Sequence, residues 1–78
     1  MIEIRFDGEL DNLTVVIVDH EEKTFVVTGL ETANEMVDFE AEGVNPYLEN
    51  AEDLWLGDQL PQFVEHLEDE GYKELEAE

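Results

Sequence analysis

The stretch LTVVIVD, residues 13–19, decides the fold of this chain. It is rich in β-branched residues, which pack well on the pleated surface of a sheet. Its apolar side chains occupy consecutive positions, so both faces of the strand that they form would be buried. The stretch therefore predicts an inner strand with a neighbouring strand on each side.

The segments before and after this stretch supply those neighbours. Residues 2–7, IEIRFD, alternate apolar and charged side chains, and residues 24–29, TFVVTG, form a second β-branched run. Turn-forming residues separate the three segments, with DGELDN at 7–12 and DHEEK at 19–23. Because both connections are short, the three strands are predicted to form an antiparallel meander.

The next stretch, ETANEMVDFEAEG at residues 31–43, supports two interpretations. Thr32 and Glu35 have the spacing of a capping box, which predicts a helix with Gly43 just beyond its end. Residues 37–42 also alternate apolar and acidic side chains, as a fourth strand would. We favour the strand for residues 32–42 and keep the helix as the alternative.

Two helices are predicted after residue 44. Asn45 followed by Pro46 is typical of a helix start, and Gly57 would end this first helix. Asp58 is in position to cap the second helix, and Gly71 follows its expected end. The apolar stripes are Tyr47, Leu48, Ala51, Leu54 and Trp55 on the first helix, and Leu60, Phe63, Val64 and Leu67 on the second.

The predicted fold class is α+β, an antiparallel meander sheet of three to four strands followed by two C-terminal helices. Residues 1–71 are expected to form a single small acidic α+β domain, and residues 72–78 a frayed acidic C-terminal tail. The 78 residues, 42% of them apolar, provide for one core and leave no room for a second domain.

The charge of the chain needs an explanation beyond solubility. Twenty-three Asp and Glu stand against three Lys and Arg, which gives a formal net charge of −20. A small domain stays soluble with a net charge of about 2 to 8 in magnitude. The excess negative charge therefore becomes the main functional signal.

The composition excludes several classes of enzyme. The chain has no Cys and no Ser, so it cannot build the usual thiol or serine nucleophile arrangements. Its five glycines form no phosphate-binding motif. The two histidines, His20 and His66, are interpreted as surface residues. We expect no enzymatic activity, no catalytic residues and no cofactor.

The segment DGELDN invites a calcium hypothesis, because Asp7, Glu9 and Asp11 recur at every second position. In an EF-hand loop that begins at Asp7, Asn12 would replace the required Gly and Val18 the bidentate Glu. The pattern therefore fails, and no metal site is predicted.

The charge also limits the partners. Direct binding to nucleic acid is excluded, because affinity for DNA comes from Lys and Arg that neutralise phosphates. No apolar run approaches the length of a membrane span, and the first residues lack the pattern of a signal peptide. We expect no membrane contact and a cytoplasmic location, in the host cell cytoplasm if the chain is phage-encoded.

Acidic faces on the predicted elements are the candidate interaction surface. Carboxylates at every second strand position, or three and four residues apart on a helix, have spacings close to those of phosphates along a DNA strand. The candidate partner-binding residues are Asp38, Glu40 and Glu42 in the predicted fourth strand, Glu49, Glu52, Asp53 and Leu56 on the first helix, and Glu65, Glu68, Asp69 and Glu70 on the second.

Two apolar residues are candidate anchors within this surface. Leu56 falls on the acidic side of its helix, and Tyr72 follows the second helix. Each also has a structural interpretation, which we favour: Leu56 would cover the turn between the helices, and Tyr72 would pack on the helix end.

In size, charge density and α+β pattern, the chain resembles the DNA-mimic inhibitors. These are small phage or mobile-element proteins, including anti-restriction and some anti-CRISPR proteins, that occupy the DNA-binding groove of a target enzyme. The resemblance implies a basic nucleic-acid-binding protein as the partner, such as a host-defence nuclease. It rests on composition and not on a motif, so it selects no family and transfers no residue.

Three other functions fit the same composition. A housekeeping or partner-binding protein of a halophile would carry such a surface to stay soluble in molar salt. An acidic antitoxin-like or chaperone-like protein would bind a basic partner without imitating DNA. The third possibility is a small acidic domain whose charge serves solubility alone. A homodimer would extend the charged surface along a longer groove.

Overall fold

The computed structural model describes residues 2–9, 11–46 and 53–76. Its elements in chain order are β1 (Ile2–Glu9), β2 (Asn12–Asp19), β3 (Thr24–Gly29), α1 (Leu30–Met36), α2 (Leu60–Asp69) and β4 (Lys73–Leu75). Within these ranges the four strands form one sheet in the order β1-β2-β3-β4. The fold is α+β, as the sequence predicts.

The first three strands form the predicted meander. β1 pairs antiparallel with β2, with Glu9 opposite Asn12, and β2 pairs antiparallel with β3, with Asp19 opposite Thr24. The Asp19 carboxylate accepts hydrogen bonds from two backbone N–H groups of the turn that follows β2, at 3.0 and 3.2 Å. Local pairing and a side-chain-stabilised turn therefore set the register of the inner strand.

The fourth strand makes the sheet mixed, which corrects the prediction of a purely antiparallel sheet. β4 pairs parallel with β3, with Lys73 opposite Thr24, and the Lys73 backbone N–H donates to the Lys23 carbonyl at 3.0 Å. The sequence predicts a frayed tail for residues 72–78, and the arrangement of the described ones, 72–76, differs from that prediction. Tyr72 is half-buried, and residues 73–75 lie along β3 because the chain reverses direction at Gly71.

The stretch from residue 30 to residue 44 is a short helix followed by a turn, so the favoured strand interpretation is wrong. α1 buries Ala33, and Gly29 rather than Thr32 occupies its N-cap position. The Asp38 carboxylate accepts from the backbone N–H groups of residues 40 and 41, at 3.1 and 3.3 Å. The Phe39 carbonyl accepts from the Val44 N–H at 2.8 Å. These local bonds hold the chain in a turn, which prevents strand pairing.

The helix predicted from Asn45 to Gly57 is not found in the described part of that range. Asn45 and Pro46 are not helical, residues 47–52 lie outside the described residues, and Asp53 and Leu54 form one 3₁₀ turn. Trp55 makes an isolated parallel bridge with Phe6, and the Leu56 N–H donates to the Phe6 carbonyl at 2.7 Å. Pairing with the edge of β1 therefore replaces helical hydrogen bonds here, and the helix that precedes α2 in the described chain is α1.

The sheet separates two apolar clusters, because successive side chains of each strand point to opposite faces. The α1-side cluster contains Ile4, Phe6, Leu13, Val15, Ile17, Ala33 and Phe39, with Leu30, Val37, Val44, Leu54 and Trp55 packed against it. The α2-side cluster contains Val16, Val18, Phe25 and Leu67, with Val27, Leu56, Leu60, Phe63, Val64 and Tyr72 packed against it. Trp55 and Leu56 belong to different clusters, so the chain passes round the β1 edge at this point.

α2 carries the predicted apolar stripe but begins differently. Gln59, not Asp58, is the N-cap residue, because the Asp58 backbone has φ of 69° and its N–H donates to the Asp7 carboxylate at 2.8 Å. The predicted role of Gly71 is confirmed, since it follows the C-cap with φ of 91°. The Gly71 N–H donates to the Glu68 carbonyl and the Tyr72 N–H to the Leu67 carbonyl, which is a Schellman motif.

Candidate binding surface

The outer side of α2 presents four carboxylates. Its inner side packs into the α2-side cluster, which leaves Glu65, Glu68, Asp69 and Glu70 exposed. We call these four residues the α2 acidic surface. Residues three and four positions apart lie about 5 to 6 Å apart between Cβ atoms on a helix, so Glu65 is a neighbour of both Glu68 and Asp69. The sequence predicts all four as partner-binding residues.

The position of this surface on α2 is electrostatically unfavourable. The C-terminal end of a helix carries a partial negative charge, and three of the four carboxylates lie in the last turn or at the C-cap. The basic side chain of that turn is His66. Within the described part of the chain, none of the four makes a salt bridge or a side-chain hydrogen bond. The folded domain therefore leaves these charges to solvent or to a partner.

The three Lys and Arg residues do not neutralise this surface. The Arg5 guanidinium lies on β1 and contacts the Glu3 carboxylate at 2.8 Å. Lys23 and Lys73 are exposed neighbours, joined by the backbone bond at the start of β4. The Arg5 side chain is thus paired with Glu3 on β1. The two lysines lie together at the end of the sheet where β4 begins.

The acidic residues of the predicted fourth strand lie in the other layer of the molecule. Asp38, Glu40 and Glu42 are exposed on the turn after α1, whose Phe39 packs into the α1-side cluster. The sheet therefore separates them from the α2 acidic surface. Asp38 is also occupied as the hydrogen-bond acceptor of its own turn. The structure places the predicted residues in two layers rather than on one continuous array.

The remaining predicted residues belong to the chain before α2. Glu49 and Glu52 lie outside the described residues. Asp53 is exposed, whereas Leu56 is half-buried and packs against the α2-side cluster. Tyr72 packs against the same cluster beside the end of α2. Tyr72 thus packs beside the end of α2, as its structural interpretation expects. Leu56 instead packs on the α2-side cluster next to the β1 edge, and the described residues contain no α-helix directly before it whose turn it could cover.

A hydrogen-bonded network that the sequence does not reveal joins three distant segments. The His20 ring contacts the Glu3 carboxylate through Nε2 and the Tyr72 hydroxyl through Nδ1, both at 2.7 Å. A carboxylate only accepts, so His20 donates to Glu3 through Nε2. At Nδ1 the ring accepts from the Tyr72 hydroxyl if it is neutral, and donates to the Tyr72 oxygen if it is protonated. The two rings also pack edge to face, with centroids 5.6 Å apart. His20 is half-buried rather than a plain surface residue.

The three carboxylates of the rejected calcium pattern have separate positions. Asp7 is 9% exposed and holds the Asp58 N–H, while Glu9 and Asp11 are exposed at the β1–β2 hairpin. In the described ranges, no group of three or more His, Asp or Glu side chains is placed to hold a metal ion. Among the same residues, no helix is long and apolar enough to cross a membrane.

Comparisons with protein-family models, with curated proteins and with solved structures gave no match for this chain. Its function must therefore be inferred from its own residues.

Proposed function

We propose that this protein is a DNA-mimic inhibitor, which acts in the cytoplasm by occupying the basic nucleic-acid groove of a target protein such as a host-defence nuclease. The observation that carries the proposal is the α2 acidic surface. Four exposed carboxylates lie close together there without a cationic partner in the described chain. The protein would act by binding alone, without catalysing a reaction.

The spacing of these carboxylates supports the proposal. Duplex DNA presents one negative charge per roughly 1.7 Å of its axis, counted over both strands. The Cβ atoms of acidic residues three and four positions apart on α2 lie about 5 to 6 Å apart, which is close to the phosphate spacing along one strand. A groove lined with Arg and Lys for phosphates can therefore pair with Glu65, Glu68 and Asp69 in the same way.

The energetic cost of the surface also supports a role in binding. Carboxylates near the C-terminus of a helix destabilise that helix, by up to about 1 kcal/mol each at low ionic strength. A neutral or basic turn would be more stable after residue 67, yet the chain has Glu68, Asp69 and Glu70 there. A cationic groove would remove this repulsion, because each carboxylate would gain a partner on binding.

The net charge adds a kinetic contribution. A charge of −20 attracts a basic groove over long distances, and such steering raises association rates above the ordinary range of about 10⁵ to 10⁶ M⁻¹s⁻¹. Salt screens this attraction, since the Debye length falls to about 8 Å at physiological ionic strength. Complex formation should therefore weaken as salt is added.

The proposal is tested by competition for DNA. The immobilised protein is used to capture candidates from a host lysate at moderate salt, and captured proteins are eluted in salt steps. Each eluted protein is then mixed with fluorescent duplex DNA and increasing amounts of the free protein. A DNA-mimic releases the duplex in proportion to its own binding. Simultaneous binding of DNA and of this protein to the same target would contradict the proposal.

The double substitution Glu65→Lys with Asp69→Lys examines the α2 acidic surface. We expect at least a tenfold loss of affinity for the captured target, with unchanged circular dichroism, because two carboxylate pairs become repulsive contacts. Glu9→Lys with Asp11→Lys is the matched control, since it changes the charge equally at the exposed β1–β2 hairpin. An equal loss in both variants would mean that net charge, and not this surface, determines binding.

A second candidate, a protein adapted to molar salt, is favoured by one observation. Exposed carboxylates occur in both layers, on α2 and on α1 with its following turn, rather than on one face. Circular dichroism over a KCl series separates the candidates. A DNA mimic is folded at ordinary ionic strength, whereas a salt-adapted protein gains its cooperative fold only in molar KCl.

A further inference from the structure

The α1 layer contains a cleft that differs in kind from the rest of the acidic exterior. The cleft has a volume of about 800 Å³ and lies between α1 and residues 38–46. Leu30, Phe39 and Val44 contribute to its lining, and all three belong to the α1-side cluster or pack against it. The cleft therefore has an apolar interior that continues the core of the domain.

The exposed part of the lining, which we call the entrance of the cleft, carries three carboxylates. Glu31 on α1, and Asp38 and Glu40 on the turn, also line it and are exposed. Asp38 already accepts two backbone hydrogen bonds, so Glu31 and Glu40 are the carboxylates free to hold a ligand. Charge alone would not single out this place, because acidic residues are dense over the whole chain. The combination of an apolar interior with an anionic entrance distinguishes the cleft from the rest of the surface.

We propose that this cleft binds an arginine side chain presented by a short basic segment of a partner protein. The aliphatic part of an arginine can lie along apolar surface while its charged end stays at the entrance. The guanidinium is planar and weakly hydrated, and it can donate to two carboxylates at once. The ammonium group of lysine is more strongly hydrated and lacks the planar fork of donors that gives bidentate contacts. Arginine therefore matches both parts of the cleft.

This site is independent of the α2 acidic surface. The sheet lies between the two, because α1 packs on one of its faces and α2 on the other. An arginine in the cleft would leave Glu65, Glu68 and Asp69 accessible. The cleft thus goes beyond the proposed DNA mimicry, and either proposal can fail without the other.

The test uses three acetylated and amidated tripeptides, Gly-Arg-Gly, Gly-Lys-Gly and Gly-citrulline-Gly, with ¹⁵N-labelled protein at low ionic strength. Citrulline has nearly the shape of arginine without its charge. We expect the arginine peptide to shift the amide signals of residues 30–34 and 38–44, and to bind about tenfold more tightly than the citrulline peptide. The lysine peptide should bind more weakly than the arginine peptide.

Matched charge variants locate the binding. Glu31→Gln with Glu40→Gln should weaken the arginine peptide about tenfold. Glu35→Gln with Glu42→Gln removes the same charge from α1 and its turn, outside the residues that line the cleft, and should leave affinity within about twofold. Asn34→Phe keeps every charge but places a large side chain at the cleft, so it should weaken binding at least as much.

Three results would overturn the proposal: equal binding of arginine and citrulline peptides, equal losses in the two double variants, or signal shifts spread over the whole acidic exterior. Circular dichroism of each variant confirms that the fold is intact. The proposal is supported if the arginine peptide changes only the amide signals of the cleft residues in the wild-type chain. These changes should be lost in the Glu31→Gln with Glu40→Gln variant.

Discussion

The two layers that cover the sheet use the same residue types for different purposes. In the α1 layer, Asp38 accepts backbone hydrogen bonds within its turn, and neighbouring carboxylates line a cleft. In the α2 layer, the four carboxylates of the α2 acidic surface bond to nothing in the described chain. The difference shows that charge density does not define the role of an acidic residue. The local backbone decides whether a carboxylate is used for folding or remains available for binding.

The largest expected effects come from substitutions in the two apolar clusters, one in each layer. Phe6 on the α1 side and Phe25 on the α2 side are 0% and 1% exposed. Replacing either by Ala should cost about 3 to 5 kcal/mol of unfolding free energy, because a cavity is left. Phe6→Ala should cost about 1 kcal/mol more, since Phe6 also contacts the rings of Phe39 and Trp55, at 5.9 and 6.0 Å between centroids.

Urea unfolding followed by circular dichroism measures both losses. A domain of this size can unfold completely after such a change, so Phe6→Leu and Phe25→Leu serve as milder versions of the same pair. A larger loss for the Phe25 variants would mean that the α2 layer, and not the aromatic contacts of the α1 layer, dominates stability.

The helix termini offer a second comparison. Gly71 at the end of α2 has φ of 91°, whereas Gly29 before α1 has φ of −79°. Gly71→Ala should cost about 1 to 2 kcal/mol, because a Cβ disfavours the left-handed region. Gly29→Ala should change stability by less than about 0.5 kcal/mol, since an added Cβ meets no atom within 4 Å. Thermal unfolding of both variants checks this, and equal losses would rule out backbone conformation as the cause.

The network around His20 should have a smaller effect, concentrated at β4. Tyr72→Phe keeps the ring but removes the hydroxyl that bonds to His20 Nδ1. We expect a loss of about 1 kcal/mol and faster hydrogen exchange in β4, which begins at the next residue. Amides of the β1–β2 pair in the same sample are the internal control. Uniform acceleration across all four strands would instead indicate a global loss of stability.

The smallest effects should have opposite signs in the two helices. Glu68→Gln and Asp69→Asn remove negative charge from the C-terminal end of α2 and should stabilise the domain. Glu31→Gln removes a carboxylate from the first turn of α1, where negative charge is favourable, and should destabilise the domain. Each change is expected to be below about 1 kcal/mol. Melting temperatures at low salt test the signs. The differences from the wild-type melting temperature should shrink at high salt, because salt screens the charges.

The parts of the fold that depend on residues close together in the sequence could be predicted from the sequence. The run at residues 13–19 requires partners on both sides, and short turns bring those partners from the adjacent segments. The apolar stripe of α2 and Gly71 likewise act within one helix. The exposed positions of Glu65 and Asp69 follow from the same periodicity.

The remaining parts depend on contacts between distant residues. Residues 73–75, KEL, have no strand pattern of their own and become β4 only beside β3. Trp55 fits a helical stripe, but its bridge to Phe6 takes it to the sheet edge. The acidic residues are divided between two layers because the chain passes round the β1 edge, and no local pattern in the sequence predicts that path. The bond between His20 and Tyr72 spans 52 residues and has no local signal.

The parallel pairing of β4 with β3 also has a consequence for the order of folding events. Each hairpin of the meander closes a short loop, whereas β4 reaches β3 only after the intervening chain has crossed both faces of the sheet. Closing the longer loop costs more chain entropy before any contact forms. We therefore expect the meander to be present in the transition state and β4 to dock afterwards, so that substitutions in β4 accelerate unfolding and leave the folding rate nearly unchanged.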